Sequence, residues 1–189
     1  ELYEYEPSIS DTDSVRSSIG QGSYAFTPTQ ISRYVSCIAN GGKLNYLTVV
    51  KEIKNIDGKK IKNTVSNAAN KKAPKNQRIW SVIKDGMFLA VNGDRSSHKE
   101  LFKNVKDLVA GKTGTAQFSN MRADHALFTS YAPYDKPEIS VTCVLPYAYT
   151  SGNAAEAAAD FYEYYYGDGD EESLNKKAVK DNVNNIISD

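Results

Sequence analysis

Three runs rich in β-branched and aromatic residues follow one another between 108 and 145, at 108–117, 125–132 and 138–145. The last two are joined only by Pro133-Tyr134-Asp135-Lys136-Pro137, and a short polar link, 118–123, precedes them. Consecutive strands with short turn-rich links predict an antiparallel meander. Helical periodicity stands on either side. Trp80, Ile83, Met87, Ala90 and Val91 mark one face of a helix over 77–91. An alanine-rich helix over 153–165 carries Phe161, Tyr162 and Tyr165, and its Tyr162-Tyr165 cluster is expected to pack on the sheet. The fold class is therefore α/β, an antiparallel sheet sandwiched by helices.

The first run contains Val109-Ala110-Gly111-Lys112-Thr113-Gly114-Thr115-Ala116-Gln117. Its β-branched residues favour a strand. Glycine inside a strand marks a place where something approaches the backbone closely. Lys112, Thr113 and Thr115 beside such a backbone can hold an anion such as a carboxylate. A phosphate-binding loop ending in Gly111-Lys112-Thr113 would need a glycine at position 106, where the chain has Lys106. That reading is excluded.

The chain has 189 residues, 40% hydrophobic and 24% charged, enough for one domain with a core. Its net charge is zero, so no global charge favours nucleic acid or an anionic membrane. No apolar run approaches the roughly 18 residues needed to span a bilayer. The acidic start, Glu1-Leu2-Tyr3-Glu4-Tyr5-Glu6, has no signal-peptide character, and the expectation is a processed or excised piece. Cys37 and Cys143 are expected as buried free thiols rather than a disulfide.

Upstream, 1–18 reads as an irregular lead-in and Ile19-Gly20-Gln21-Gly22 as a turn. Thr27-Pro28-Thr29-Gln30 has the pattern of a capping box, and it opens a helix over about 28–40 that Asn40-Gly41-Gly42 ends. A hairpin is expected from 46–53 and 60–65, turned by Asp57-Gly58, with a loop over 66–76. The tail, 167–189, is polar. Leu174, Val179, Val183, Ile186 and Ile187 suit a short amphipathic helix or a disordered end.

Three blocks in order resemble a known family. They are Ile19-Gly20-Gln21-Gly22 with Thr27-Pro28-Thr29-Gln30 and Ile38-Ala39-Asn40-Gly41-Gly42; Val109 to Gln117 with its Lys112-Thr113-Gly114; and His125-Ala126-Leu127-Phe128 with Tyr131-Ala132-Pro133 and Pro137-Glu138-Ile139. Lys84-Asp85-Gly86-Met87 fits as well. Together they resemble the C-terminal part of the transpeptidase domain of class B penicillin-binding proteins, of the elongation or sporulation type. The likeness covers 19–166.

The resemblance implies a partial β-lactamase/transpeptidase-like fold and a serine D,D-transpeptidase that needs no cofactor or metal. Its partners would be peptidoglycan stem peptides ending in D-Ala-D-Ala, β-lactams, the missing N-terminal half of the domain, and elongation or sporulation proteins. It would work at the outer face of the cell membrane, with the anchor absent from this chain. Lys112 and Thr115 take catalytic parts, and Lys112, Thr113, Gly114 and Thr115 bind substrate. The Thr115 N–H would be one oxyanion-hole donor, and Gly114 would keep the strand clear for a peptide.

The family also needs a Ser-x-x-Lys nucleophile motif and a Ser-x-Asn motif before the triplet. Ser81/Lys84, Ser96/Lys99 and Ser173/Lys176 match the first, but 18 Ser and 18 Lys in 189 residues produce about two such matches by chance. Ser81 falls inside a helix with Lys84 expected on its exposed side. Ser151-Gly152-Asn153 and Ser173-Leu174-Asn175 follow the triplet, and Ser151 or Asn153 reads as a helix cap. The chain is thus expected to be inactive alone. The alternative is a non-catalytic peptide- or β-lactam-binding module, a sensor or pseudoenzyme. His98, Asp124, His125 and Cys143 are metal-ligand types without a standard zinc spacing. Asp168, Asp170 and Glu172 lack the rest of a calcium loop. Arg95 and Arg122 read as surface charges.

Overall fold

The computed structural model describes residues 11–22, 25–63, 69–72, 76–105, 108–117 and 121–167. The tail motifs, from Asp168 through Ser173, Lys176 and Ile187, lie outside them, as do Thr64 and Val65.

The element order is α1 (Asp11–Ser18), α2 (Pro28–Ala39), β1 (Lys43–Asn45), β2 (Glu52–Lys54), β3 (Lys60–Asn63), β4 (Ala69–Lys72), α3 (Gln77–Asn92), β5 (Ala110–Ala116), β6 (His125–Ala132), β7 (Ile139–Leu145) and α4 (Ser151–Tyr166). The expected meander is present, with strand order β5-β6-β7, both pairs antiparallel.

α1 corrects the irregular lead-in. It ends at Gly20, whose φ of +78° is the left-handed conformation that lets a helix stop, and the Gly20 N–H donates to the Ser17 carbonyl. α2 begins on the expected box: the Thr27 hydroxyl accepts from the Gln30 N–H, and the Gln30 side chain accepts from the Thr27 N–H at 2.9 Å. It ends at Gly41 and Gly42. Gly42 has φ +102°, and a Cβ there would run into the Trp80 indole.

The hairpin is shorter than expected. β2 and β3 pair across the Asp57-Gly58 turn, but Tyr46–Lys51 form no strand, and Val49 lies wholly in solvent. The 66–76 loop also needs correcting, because β4 pairs with β1. In α3, Trp80, Met87 and Val91 are buried as expected, whereas Ala90 is exposed. α4 is capped by the Thr150 hydroxyl, which accepts from the Gly152 N–H; neither Ser151 nor Asn153 caps it.

Alternation splits the sheet between two cores. Ala126, Phe128 and Ala132 face α4, meeting Ala154, Ala155, Ala158, Ala159 and Tyr162. The small alanines let the helix lie close to the strands. Ser130, on the same face, hydrogen-bonds the Tyr162 hydroxyl at 3.1 Å. Burial holds the Tyr162 hydroxyl above its usual range, an effect that the Ser130 bond partly offsets. Ala110 and Tyr131 face the other way, among Val35, Ile38, Trp80 and Met87 of α2 and α3. Cys37 and Cys143 are free thiols, Cys37 buried and Cys143 half-buried, and burial raises both above the usual thiol range.

Candidate functional site

β5 is an outer strand of its sheet, bonded among the described residues to β6 alone. Two other contacts hold its N-terminal end. The Asn92 carboxamide at the end of α3 donates to the Val109 carbonyl at 2.8 Å, and the Tyr134 N–H donates to the Leu108 carbonyl at 2.9 Å. The Tyr134 hydroxyl bonds Asp85 of α3, and the Lys84 ammonium lies 5.8 and 5.7 Å from the Tyr131 and Tyr134 ring centroids. Lys84 is therefore half-buried over aromatic rings, not on an exposed face. The Lys84-Asp85 segment acts as a brace between α3 and the end of β6.

The two strand glycines differ. A Cβ on Gly111 would collide with the Phe128 ring, which stacks on Phe102 with centroids 5.5 Å apart. A Cβ on Gly114 would meet the Leu127 Cβ at 3.4 Å, within reach of ordinary packing. Packing within the chain therefore demands glycine at 111 and tolerates a side chain at 114.

Register places Lys112 opposite Thr129 and Gly114 opposite Leu127, on the α2/α3 face, while Thr113 and Thr115 oppose Phe128 and Ala126, on the α4 face. The four candidate residues thus straddle the strand and share only its outer edge. Lys112 and Thr115 are exposed, Thr113 and Gly114 half-buried. Lys112 borders an apolar groove between α2 and α3, lined by Ile31, Tyr34, Ile83 and Met87, with Thr129 beside it. Thr129 in turn bonds Thr142 of β7 at 2.9 Å, which extends a polar row from Lys112 across the sheet. A cation and an outer strand edge beside a groove suit an extended ligand bearing an anion.

Two residues lie beside β5 that the sequence reading named without placing them there. The Gln21 carboxamide donates to the Thr115 carbonyl at 3.1 Å. His98 lies against Phe128 with ring centroids 6.3 Å apart. Burial pushes His98 below its ordinary range, and the nearby Lys112 charge pushes the same way. Both come from other segments: the Gly20-Gln21-Gly22 turn read as part of a family block, and His98 read only as a metal-ligand type.

The other candidates are scattered. The Tyr147 N–H donates to His125 Nδ1 at 3.1 Å, and Arg122 is exposed, donating to the Tyr147 hydroxyl at 2.9 Å. Cys143 packs in the α4 core, and Arg95 is exposed. Among the described residues, no group of three His, Cys, Asp or Glu side chains could hold a metal ion. Ser96 donates to the Ala90 carbonyl while Lys99 pairs with Asp94 at 3.3 Å, and Ser81 lies exposed on α3 while Lys84 covers the rings. No helix among the described residues is long and apolar enough to cross a membrane.

The chain is similar to known proteins. The penicillin binding protein transpeptidase domain matches residues 3–163. The peptidoglycan D,D-transpeptidase MrdA of Haemophilus influenzae is 32% identical over 168 residues, covering 81% of this chain and 26% of that protein. Penicillin-binding protein 2A of Bacillus subtilis is 30% identical over 142 residues, covering 68% of this chain and 19% of that protein. The chain therefore spans about a quarter or less of the length of these relatives. Penicillin-binding protein 2B of Streptococcus pneumoniae superposes with a TM-score of 0.72 at 25% identity, over 83% of this chain and 28% of that one. Pseudomonas aeruginosa PBP2, solved in complex with WCK 5153, gives 0.64 at 25% identity, over 82% and 33%.

Proposed function

The chain belongs to the penicillin-binding protein transpeptidase domain family, class B, with its β-lactamase/transpeptidase fold, and from that premise we propose that it is the downstream part of a peptidoglycan D,D-transpeptidase. The observation that carries the reading is β5: an outer strand bearing Lys112 beside an apolar groove, within a matched domain.

In the complete enzyme, a serine supplied from upstream attacks the carbonyl carbon of the penultimate D-Ala of a stem peptide. The serine proton passes to a lysine, and the new C–O bond replaces the peptide C–N bond. The terminal D-Ala leaves as its amine takes that proton. The amine of a second stem peptide then attacks the ester, releases the serine and completes the cross-link. β5 supplies the wall of this site. Lys112 offers positive charge to the substrate carboxylate, Thr113 and Thr115 offer hydroxyls, and the outward Thr115 N–H stabilises the oxyanion. The Gly114 position leaves the edge free of a side chain where the peptide lies.

A penicillin enters as a mimic of the same peptide and stays on the serine as an ester. The protein acts on the outer side of the cytoplasmic membrane, where peptidoglycan is assembled. Its macromolecular partners on this reading are the rest of the transpeptidase domain and cell-wall elongation or sporulation proteins.

The test is covalent labelling. The complete protein, incubated with a fluorescent penicillin and denatured, should retain the label on one serine upstream of this segment, and the 189-residue chain should retain none. Reversible binding without a covalent adduct in the complete protein would establish a non-catalytic binding module instead. An adduct on the 189-residue chain would place the nucleophile within it.

A further inference from the structure

In an outer strand every second residue turns its N–H and C=O away from the sheet. Thr113 and Thr115, two apart on β5, share that outward direction. Both carbonyls already have donors. The Lys112 ammonium donates to the Thr113 carbonyl at 2.6 Å, and the Gln21 carboxamide donates to the Thr115 carbonyl at 3.1 Å. Side chains have taken the places that the amides of an added strand would occupy.

Gln21 is not a loose surface residue that happens to touch β5. Its own N–H donates to the Arg16 carbonyl at 3.0 Å, so its backbone is fastened to the end of α1. Gly20 and Gly22 on either side have φ of +78° and +143°, conformations that side-chain-bearing residues rarely adopt. The turn between them presents one carboxamide to one carbonyl. The contact joins two of the segments that the sequence singles out, the Gly20-Gln21-Gly22 turn and the Lys112-Thr113-Gly114-Thr115 strand.

We infer that Gln21 is a specificity-determining residue of the β5 edge, its carboxamide holding the Thr115 carbonyl in competition with the amide N–H of an extended ligand. This inference rests on the reading of β5 as the ligand-binding edge. When the edge is empty, Gln21 satisfies a main-chain acceptor that would otherwise invite pairing with another chain. When a ligand with an amide N–H pairs there, one hydrogen bond replaces another and the net gain is small. A ligand without that N–H leaves Gln21 in place. Gln21 therefore levels the preference between the two ligand classes, and removing its donor should restore that preference.

The experiment measures the second-order rate of covalent adduct formation by the complete protein with two β-lactams. One is a penicillin with an acylamino side chain; the other is the 6-unsubstituted penam, which lacks that amide. Gln21→Met keeps the bulk of the side chain and removes the donor, and Gln21→Ala guards against a misfit of methionine. The expected result in both variants is a rise of about five-fold for the acylamino penicillin, the worth of one exposed hydrogen bond. The rate for the unsubstituted penam should be unchanged. Equal changes for both compounds, or a fall for the acylamino penicillin, would overturn the inference while leaving the transpeptidase reading intact. A wild-type protein that forms no adduct with either compound would overturn that reading, and this inference with it.

Discussion

On the α4 side of the sheet, Ala126, Phe128 and Ser130 are almost wholly shut from solvent, and α4 answers them with alanines and Tyr162. On the opposite side the same strands carry Lys112, Thr129 and Thr142, and α2 and α3 leave a groove beside them. One strand, β5, contributes to both. At its N-terminal end, Val109 to Gly111 are buried on both faces, while Lys112 to Thr115 straddle the strand and share its outer edge. Rigidity for the site thus comes from the buried N-terminal end of the strand, Val109 to Gly111, and not from the residues that a ligand would meet.

The largest expected effect probes the closed face. Phe128→Ala removes a ring packed between Gly111, Phe102 and His98, and should lower stability by about 3–5 kcal/mol in urea denaturation. A loss below about 1 kcal/mol would mean that this face is not the closed core. Lys112→Ala probes the open face. In the complete protein it should slow penicillin acylation by about 100-fold and change stability by less than about 0.5 kcal/mol. A collapse of stability with normal acylation of the folded remainder would make the lysine structural.

The glycines set the two faces against each other within one strand. Gly111→Ala forces a methyl group into Phe128 and should cost about 1–3 kcal/mol. Gly114→Ala should cost less than about 1 kcal/mol, and its effect should appear in the acylation rate of the complete protein. Equal stability losses at both positions would break the distinction. His98 gives the smallest effect. Its folded-state affinity for a proton is depressed by burial and by Lys112, so the unfolded chain binds more protons near pH 6. Its contribution is complete above the ordinary histidine value of 6.5 and is lost as pH falls below it. The melting temperature of the wild type should therefore drop between about pH 7 and 5 more than that of His98→Gln, and parallel curves would remove His98 from the account.

Much of this architecture is legible in the residues themselves. The α2 start is written in Thr27, Pro28 and Gln30, because a capping box is satisfied within four residues. The meander and the boundaries of β6 follow from β-branched runs and short links. The ends of α1 and α4 were less legible. α1 has too few apolar residues to show a period, and Thr150, Ser151 and Asn153 are all competent caps, so backbone geometry at 150 chose among them. The candidate site was legible as a motif, Lys112 to Thr115, but not as a surface. That β5 is an outer strand and that Gly111 and Gly114 serve different neighbours depend on residues far along the chain.

Local chemistry thus settles which segments become helices and strands here, since caps, turns and alternation act over a few residues. Partnership across the chain settles the rest. Lys43–Asn45 becomes β1 because Ala69–Lys72 lies beside it, while the more β-prone Tyr46 to Val50 stays irregular. Lys84 leaves the solvent for two tyrosine rings on the β6 side, and Gln21 crosses ninety-four positions to reach Thr115. Such contacts form only after the layers have packed, because their geometry is set by burial of the sheet between helices and not by any neighbour in sequence.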